Sequence, residues 1–253
     1  MSKSYRRITP ELASQIRLVM ADVDGTLTQD DSISSVVLEV ISRLQEQGII
    51  VGLVSGRTLL ELEALASHLG ISGPIIAENG GVAKLKVNSE LVELGYSRQP
   101  ALKAVEKLKT LFPDAIRGRE DNKDRIVDVV IWADGVETEE LRRHLGDTQL
   151  LDSGYILHLL QKGVSKGRTL MGLLGEIGDG NLSPAEVMVF GDSLTDISLF
   201  ELFPHSVLII NPKLPVKQRE LMQERARYVS DLYFDEGFAE VAFHIINARV
   251  SKI

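Results

Sequence analysis

The sequence contains no cysteine, which excludes disulfides, thiolate zinc sites and cysteine nucleophiles and agrees with a reducing compartment. It also lacks any apolar stretch near the roughly 18 residues of a membrane span. Its opening, MSKSYRRITPELASQIR, has no apolar h-region of a secretory signal, so a soluble, cytoplasmic protein is expected. Positive charge is in deficit: 28 Lys and Arg stand against 36 Asp and Glu, a formal net charge of -8. That balance argues against nucleic acid or a membrane surface as a partner, and any anionic substrate has to be met by local positive charge. Repeats, low-complexity tracts and long linkers are absent as well. What is present is a chain of 253 residues, 44% apolar, enough for a sizeable core. At about 150 residues per domain, this is one large domain or two modest ones.

Short apolar runs alternate with helical periodicity, the pattern of an α/β protein with a Rossmann-like parallel sheet. The runs at 17–22 (RLVMAD), 49–55 (IIVGLVS), 74–77 (PIIA), 187–192 (VMVFGD) and 207–210 (VLII) have the aliphatic make-up of strands covered on both faces. Between the first two, Val37, Leu38, Ile41 and Leu44 fall at helical spacing and Gly48 supplies the stop, which makes a βαβ crossover. Thr9-Pro10-Glu11 reads as a further helix start. From about 84 to 160 the pattern changes to hairpin-like segments (AKLKV, ELVELGY), a helix near 99–111, a strand at 125–132 (RIVDVVIW), a helix near 136–145 and a hairpin around Asp152-Ser153-Gly154. This predicts a small α+β cap at 84–161, inserted into a core made of 1–83 and 162–253. Trp132 continues an apolar strand and is expected inside.

The residues able to do chemistry follow the predicted strands. Asp22 and Asp24 are two apart on extended backbone, hence on one face, and Gly25 permits a sharp turn after them. Such a pair can bind a hard divalent cation, and one acid can attack phosphorus while the other handles a proton; a solvated acidic turn is the plainer explanation. Ser55-Gly56-Arg57 puts a hydroxyl, a flexible backbone and a guanidinium at a helix head, where free N–H groups accept anions, although capping alone also accounts for them. Lys166 follows Ser165 at another helix start. Gly191-Asp192-Ser193-Leu194-Thr195-Asp196 places two acids about one helical turn apart, where they can share a cation or merely cap the helix. Four acids, a hydroxyl and a lysine in fixed order after successive strands outweigh the plain reading of each.

These four segments, with Lys166-Gly167 as the third, resemble the motifs of the haloacid dehalogenase superfamily of phosphohydrolases, and the insertion is similar to the α+β cap of its Cof-like subclass. Gly70-Ile71-Ser72-Gly73-Pro74, Glu78-Asn79-Gly80-Gly81 and Ser153-Gly154-Tyr155 with His158-Leu159 resemble the archaeal-type phosphoglycolate phosphatases within it. Thr195 and Asn211-Pro212 depart from that pattern, where Asn and Asn-Ala are usual. The resemblance implies that Asp22 is a nucleophile forming an aspartyl-phosphate and that Asp24 is the acid and base. It implies Mg²⁺ held by Asp22, Asp24 and Asp192 with Asp196 orienting it, and a phosphoryl group held by Ser55, Gly56 and Lys166. The expected partner is a small phosphorylated metabolite, 2-phosphoglycolate ahead of sucrose-phosphate or mannosyl-3-phosphoglycerate type substrates, with a phosphomutase as a further alternative. A homodimer is the one protein partner the reading allows.

The insertion should exclude water and contact the non-phosphate part of the substrate. Arg57, Arg125 and His158 are the candidates there: a guanidinium can pair with a carboxylate in bidentate fashion, and His158 shares a largely apolar strand face with Ile156 and Leu160. Glu78 and Asn79 are read as part of the pocket floor. An EF-hand starting at Asp22 is excluded because its sixth position, normally Gly, is Leu27. No GxxxxGK[ST] loop occurs either, which argues against a nucleoside-triphosphatase of that class.

Overall fold

The computed structural model describes residues 2–154 and 156–250. Tyr155, part of the Ser153-Gly154-Tyr155 segment, lies outside the described residues. Twelve strands are described: β1 Lys3–Ser4, β2 Leu18–Ala21, β3 Ile50–Val54, β4 Ile75–Ala77, β5 Val82–Lys84, β6 Ile116–Gly118, β7 Val129–Ala133, β8 Thr148–Asp152, β9 Leu157–Gln161, β10 Val187–Gly191, β11 His205–Ile210 and β12 Tyr228–Tyr233. Eight of them form one sheet in the order β1-β12-β11-β10-β2-β3-β4-β5, parallel except for β5 at the edge. The other four form a separate antiparallel sheet, β6-β7-β9-β8.

The alternation of side chains along a strand explains why the large sheet is apolar on both faces. On β2, Val19 and Ala21 join one cluster with the helices Ser35–Glu46, Leu59–His68 and Phe234–Val250, while Leu18 and Met20 join another with Lys166–Leu173 and Ile197–Leu202. The helix start read at Thr9 is present: its hydroxyl accepts from the Leu12 N–H and opens the helix Pro10–Gln15.

Chain order runs outward from β2 in both directions, to β3 and β4 on one side and to β10, β11 and β12 on the other. The boundary between β2 and β10 is therefore a topological switch point, and the crevice beyond the carboxyl ends of those strands is where such sheets bind ligands. The smaller sheet has its own core, in which Leu108 of the helix Gln99–Leu111 packs on Val129, Ile131 and Leu159. Its opposite face carries Val130, His158 and Leu160, all buried, and Leu160 belongs to the core of the large sheet.

Several sequence expectations shift. Residues read as a hairpin of the insertion begin on the large sheet instead: β5 pairs with β4, and Lys84 bridges Leu91. The strand read from 125 starts at Val129, because residues 126–128 are bonded elsewhere, and the helix near 136–145 shrinks to Thr138–Arg142. Trp132 is not a core residue. It is 38% exposed on the small sheet, where the Arg117 guanidinium lies 5.8 Å from its ring centroid.

Candidate active site

Asp22 directly follows β2 and continues the face of Leu18 and Met20, which turns it toward the helix Lys166–Leu173. There the Lys166 ammonium, 1% exposed, donates to Asp22 Oδ1 at 2.8 Å and to Asp196 Oδ1 at 2.6 Å. Asp196 Oδ2 in turn accepts the backbone N–H groups of Asp192 and Ser193, both at 3.1 Å, so it closes its own loop as well as binding the lysine. The segment is a 3-10 turn, Leu194–Asp196, before the helix Ile197–Leu202, rather than a helix from 194. Asp192 is oriented by Asn211 Nδ2 at 2.7 Å and by the Thr26 hydroxyl at 3.3 Å. Asn211 is thus a site residue that the sequence marked only as a departure from pattern.

Two glycines make this convergence possible. Gly25 has φ +86, and a Cβ there would stand 2.4 Å from Asp192 Oδ2. A Cβ on Gly167 would meet the Ser198 carbonyl at 2.1 Å, so the lysine-bearing helix can approach its neighbour only with glycine at that position.

One oxygen from each of Asp22, Asp192 and Asp196 lies within 4.8 Å of the others, and all three residues are buried. Three carboxylates share one ammonium. Burial pushes the Asp22 carboxyl up to about 7 against the pull of Lys166, and burial with the charges of Asp22 and Asp196 pushes Asp192 well up. Hard oxygen donors with surplus negative charge in a buried cluster fit a divalent cation such as Mg²⁺. The Asp24 carboxylate is outside this group. It is half exposed at the mouth and held in a fork by Arg57, at 3.0 and 3.2 Å to Nε and 2.5 Å to Nη2.

Ser55 and Gly56 follow β3, beside Asp22 in the sheet, and the Ser55 hydroxyl accepts the Arg57 N–H at 3.2 Å. The next segment along the sheet edge, Glu78-Asn79-Gly80, is stitched to this loop. Glu78 N–H donates to the Arg57 carbonyl and Asn79 N–H to the Ser55 carbonyl, each at 3.0 Å. The Glu78 carboxylate, fully buried, accepts three successive amides, those of Ile126, Val127 and Asp128, at 2.8, 2.7 and 2.7 Å. Burial still pushes its carboxyl up.

On the opposite wall, Arg125 donates to Asp121 at 2.8 and 3.1 Å, to Asp128 at 2.8 Å and to the Gly56 carbonyl at 3.0 Å. Expected to meet a substrate carboxylate, it is instead taken up largely by protein acceptors. His158 Nδ1 lies 2.5 Å from Asp128 Oδ2, a buried acid that sequence reasoning did not single out. These residues enclose a cavity of about 570 Å³ whose lining includes Asp22, Asp24, Lys166, Asn79, Arg125 and His158.

A crevice at a switch point, with buried acids around one lysine, is equipped to hold a divalent cation and an anionic group beside a carboxylate. The family model of haloacid dehalogenase-like hydrolases matches residues 19–122 and 105–241, and the chain belongs to that family as a phosphatase. It is 33% identical over 234 residues to a phosphoglycolate phosphatase of Methanoculleus marisnigri, covering 89% of this chain and 94% of that protein. Among solved structures, Thermoplasma acidophilum 0175 superposes with a TM-score of 0.78 at 26% identity, covering 91% of this chain and 98% of that one. The sucrose-phosphatase of Synechocystis shares the fold, with a TM-score of 0.70 at 17% identity over 91% of this chain and 98% of that one. Among the described residues, no helix is long and apolar enough to cross a membrane.

Proposed function

We propose that the protein is a Mg²⁺-dependent phosphomonoesterase that hydrolyses 2-phosphoglycolate with Asp22 as nucleophile. The observation that carries this reading is the buried contact of Asp22 with Lys166 at the switch point, beside two further buried carboxylates. The phosphoglycolate phosphatase of Methanoculleus marisnigri supports the choice of ester.

Held by Asp22, Asp192 and the Asp24 carbonyl, with Asp196 orienting the site, Mg²⁺ would supply the positive charge that lets a carboxylate approach a phosphate dianion. Lys166, fixed by Asp196, holds Asp22 in line and offsets charge on the transferring group, while Ser55 and Gly56 hold phosphoryl oxygens. An Asp22 oxygen bonds to phosphorus as the ester P–O bond breaks, and Asp24 gives its proton to the departing glycolate oxygen. Asp24 then takes a proton from water as the water oxygen attacks phosphorus, and the bond from phosphorus to Asp22 breaks. For both proton transfers Asp24 turns inward from Arg57. The insertion at 84–161 acts as the lid over a core of 1–83 and 162–253, with Arg57 and His158 facing the organic part of the ester and Arg125 bracing the wall behind them.

One observation favours a sugar phosphate instead: a cavity of about 570 Å³ exceeds what a two-carbon ester fills. The test is phosphate release from 2-phosphoglycolate and a panel of sugar phosphates, with and without Mg²⁺, using Asp22→Asn as the blank. Mg²⁺-dependent turnover that favours phosphoglycolate and vanishes in Asp22→Asn is expected. Preference for a sugar phosphate transfers the chemistry to that substrate, and retained turnover in Asp22→Asn removes the nucleophile assignment.

A further inference from the structure

Asn79 is 1% exposed, and neither its amide nitrogen nor its carbonyl oxygen has a hydrogen-bond partner among the described residues. Buried polar side chains are nearly always satisfied, so a carboxamide left open on both ends inside a cavity wall marks a place where something else bonds. Its backbone is costly too. Glu78 and Asn79 are consecutive non-glycine residues at φ 50 and φ 56, a left-handed pair of the kind that clusters at functional sites. The hydrogen bonds to the Ser55 and Arg57 carbonyls hold the pair there.

The carboxamide lies against the phosphate loop. A Cβ built on Gly56 would stand 3.1 Å from Asn79 Nδ2, 3.3 Å from its Oδ1 and 3.1 Å from His158 Cε1. Asn79 and His158 thus converge over Gly56 from the core and from the small sheet, and both line the cavity. The neighbouring acid does not compete for the amide, because the Glu78 carboxylate is committed to the amides at 126–128.

We propose that Asn79 is a specificity residue whose Nδ2 donates to the carboxylate of the ester's organic part. This rests on the 2-phosphoglycolate reading above. With the phosphoryl group on Ser55, Gly56 and Lys166, a carboxylate one methylene beyond the ester oxygen falls toward the end of β4, where the open carboxamide stands. A neutral amide there accepts either charge state of a neighbour, but a carboxylate side chain in its place repels an anionic ester.

The experiment compares 2-phosphoglycolate with 2-hydroxyethyl phosphate, which replaces the carboxylate by a hydroxymethyl group, in the Mg²⁺-loaded enzyme. In Asn79→Asp, which keeps size and tolerance of left-handed backbone, the ratio of kcat/KM for the two esters falls at least 100-fold, mainly through KM for phosphoglycolate. In Asn79→Gly, which removes the amide and suits the same backbone, it falls at least tenfold. Calorimetric titration of 2-phosphoglycolate into Asp22→Asn, with and without Asn79→Asp, shows the same loss in affinity without turnover. A wild-type preference for phosphoglycolate that both variants keep within threefold overturns the role of Asn79 and leaves the substrate reading standing. A wild type that prefers 2-hydroxyethyl phosphate, or hydrolyses neither, overturns both.

Discussion

The two walls of the cavity are finished to different degrees. On the core wall each acid is already placed by another protein group: Asp22 by Lys166, Asp196 by Lys166 and two backbone amides, Asp192 by Asn211 and Thr26. Where the Glu78-Asn79 turn of the core meets the facing wall braced by Arg125 and Asp128, polar atoms remain open: both ends of the Asn79 carboxamide and Asp128 Oδ1 have no partner among the described residues. Groups that act on the phosphoryl end, common to every ester, are preorganised, whereas groups beside the organic end leave bonding capacity for the ligand to complete.

Removing the centre of the core wall has the largest effect. Lys166→Met leaves Asp22 and Asp196 buried without their shared cation, so phosphate release falls by about a thousandfold, and the metal-free protein loses on the order of 3–5 kcal/mol of stability in urea titrations. Unchanged turnover would make the lysine a packing residue. Gly25→Ala comes next, because the added methyl at φ +86 collides with Asp192. A loss of metal affinity by calorimetry is expected to exceed the loss of thermal stability, and the reverse order would place the damage in the fold instead.

Glu78→Gln tests how the two walls are joined. Its amide nitrogen replaces an acceptor with a donor opposite backbone N–H groups, which costs about 1–3 kcal/mol. Hydrogen exchange at 126–128 should accelerate while exchange in β2 and β10 stays slow; uniform acceleration would show that the joint is not local. The smallest effect concerns pH. Burial lowers the pKa of His205, whose Nδ1 has no partner among the described residues, so the folded state takes up a proton less readily than the unfolded chain. Stability from this residue is complete above the unfolded value of 6.5 and declines as pH falls below it. The urea midpoint of His205→Gln should fall less than that of the wild type between pH 7 and 5. Parallel curves would assign the acid sensitivity elsewhere.

Most of the core wall was legible because Asp22, Ser55 and Asp192 follow strands that announce themselves by composition, and Lys166 opens a helix behind a serine cap. The phosphatase chemistry came with the order of those motifs. The facing wall was less legible because Asp121 and Arg125 sit in a mixed-charge segment that carries no apolar pattern, where a solvated loop is the plainer reading. Asp128, inside RIVDVVIW, carried one usable signal, a lone acid in an apolar strand, which calls for a buried partner; Arg125 and His158 are that partner set. Asn211 stood out by its neighbours, but nothing in sequence joined it to an acid 19 residues earlier. β1 and β12 were missed because two-residue and half-exposed strands carry little apolar pattern. Trp132 was misplaced because an aromatic on a cap strand can be covered by an arginine instead of a core.

The Glu78 carboxylate also bears on how such a protein can exchange parts. Its three amide partners lie 48, 49 and 50 residues away, at the foot of the inserted unit. A recombination that replaced the insertion from 129 onward would inherit these bonds intact, whereas a crossover between 85 and 125 would separate the acid from the backbone that accommodates it. Chimeras among relatives are therefore expected to fold when residues 78 and 126–128 travel from one parent, and the tolerated boundaries should be asymmetric across the insertion.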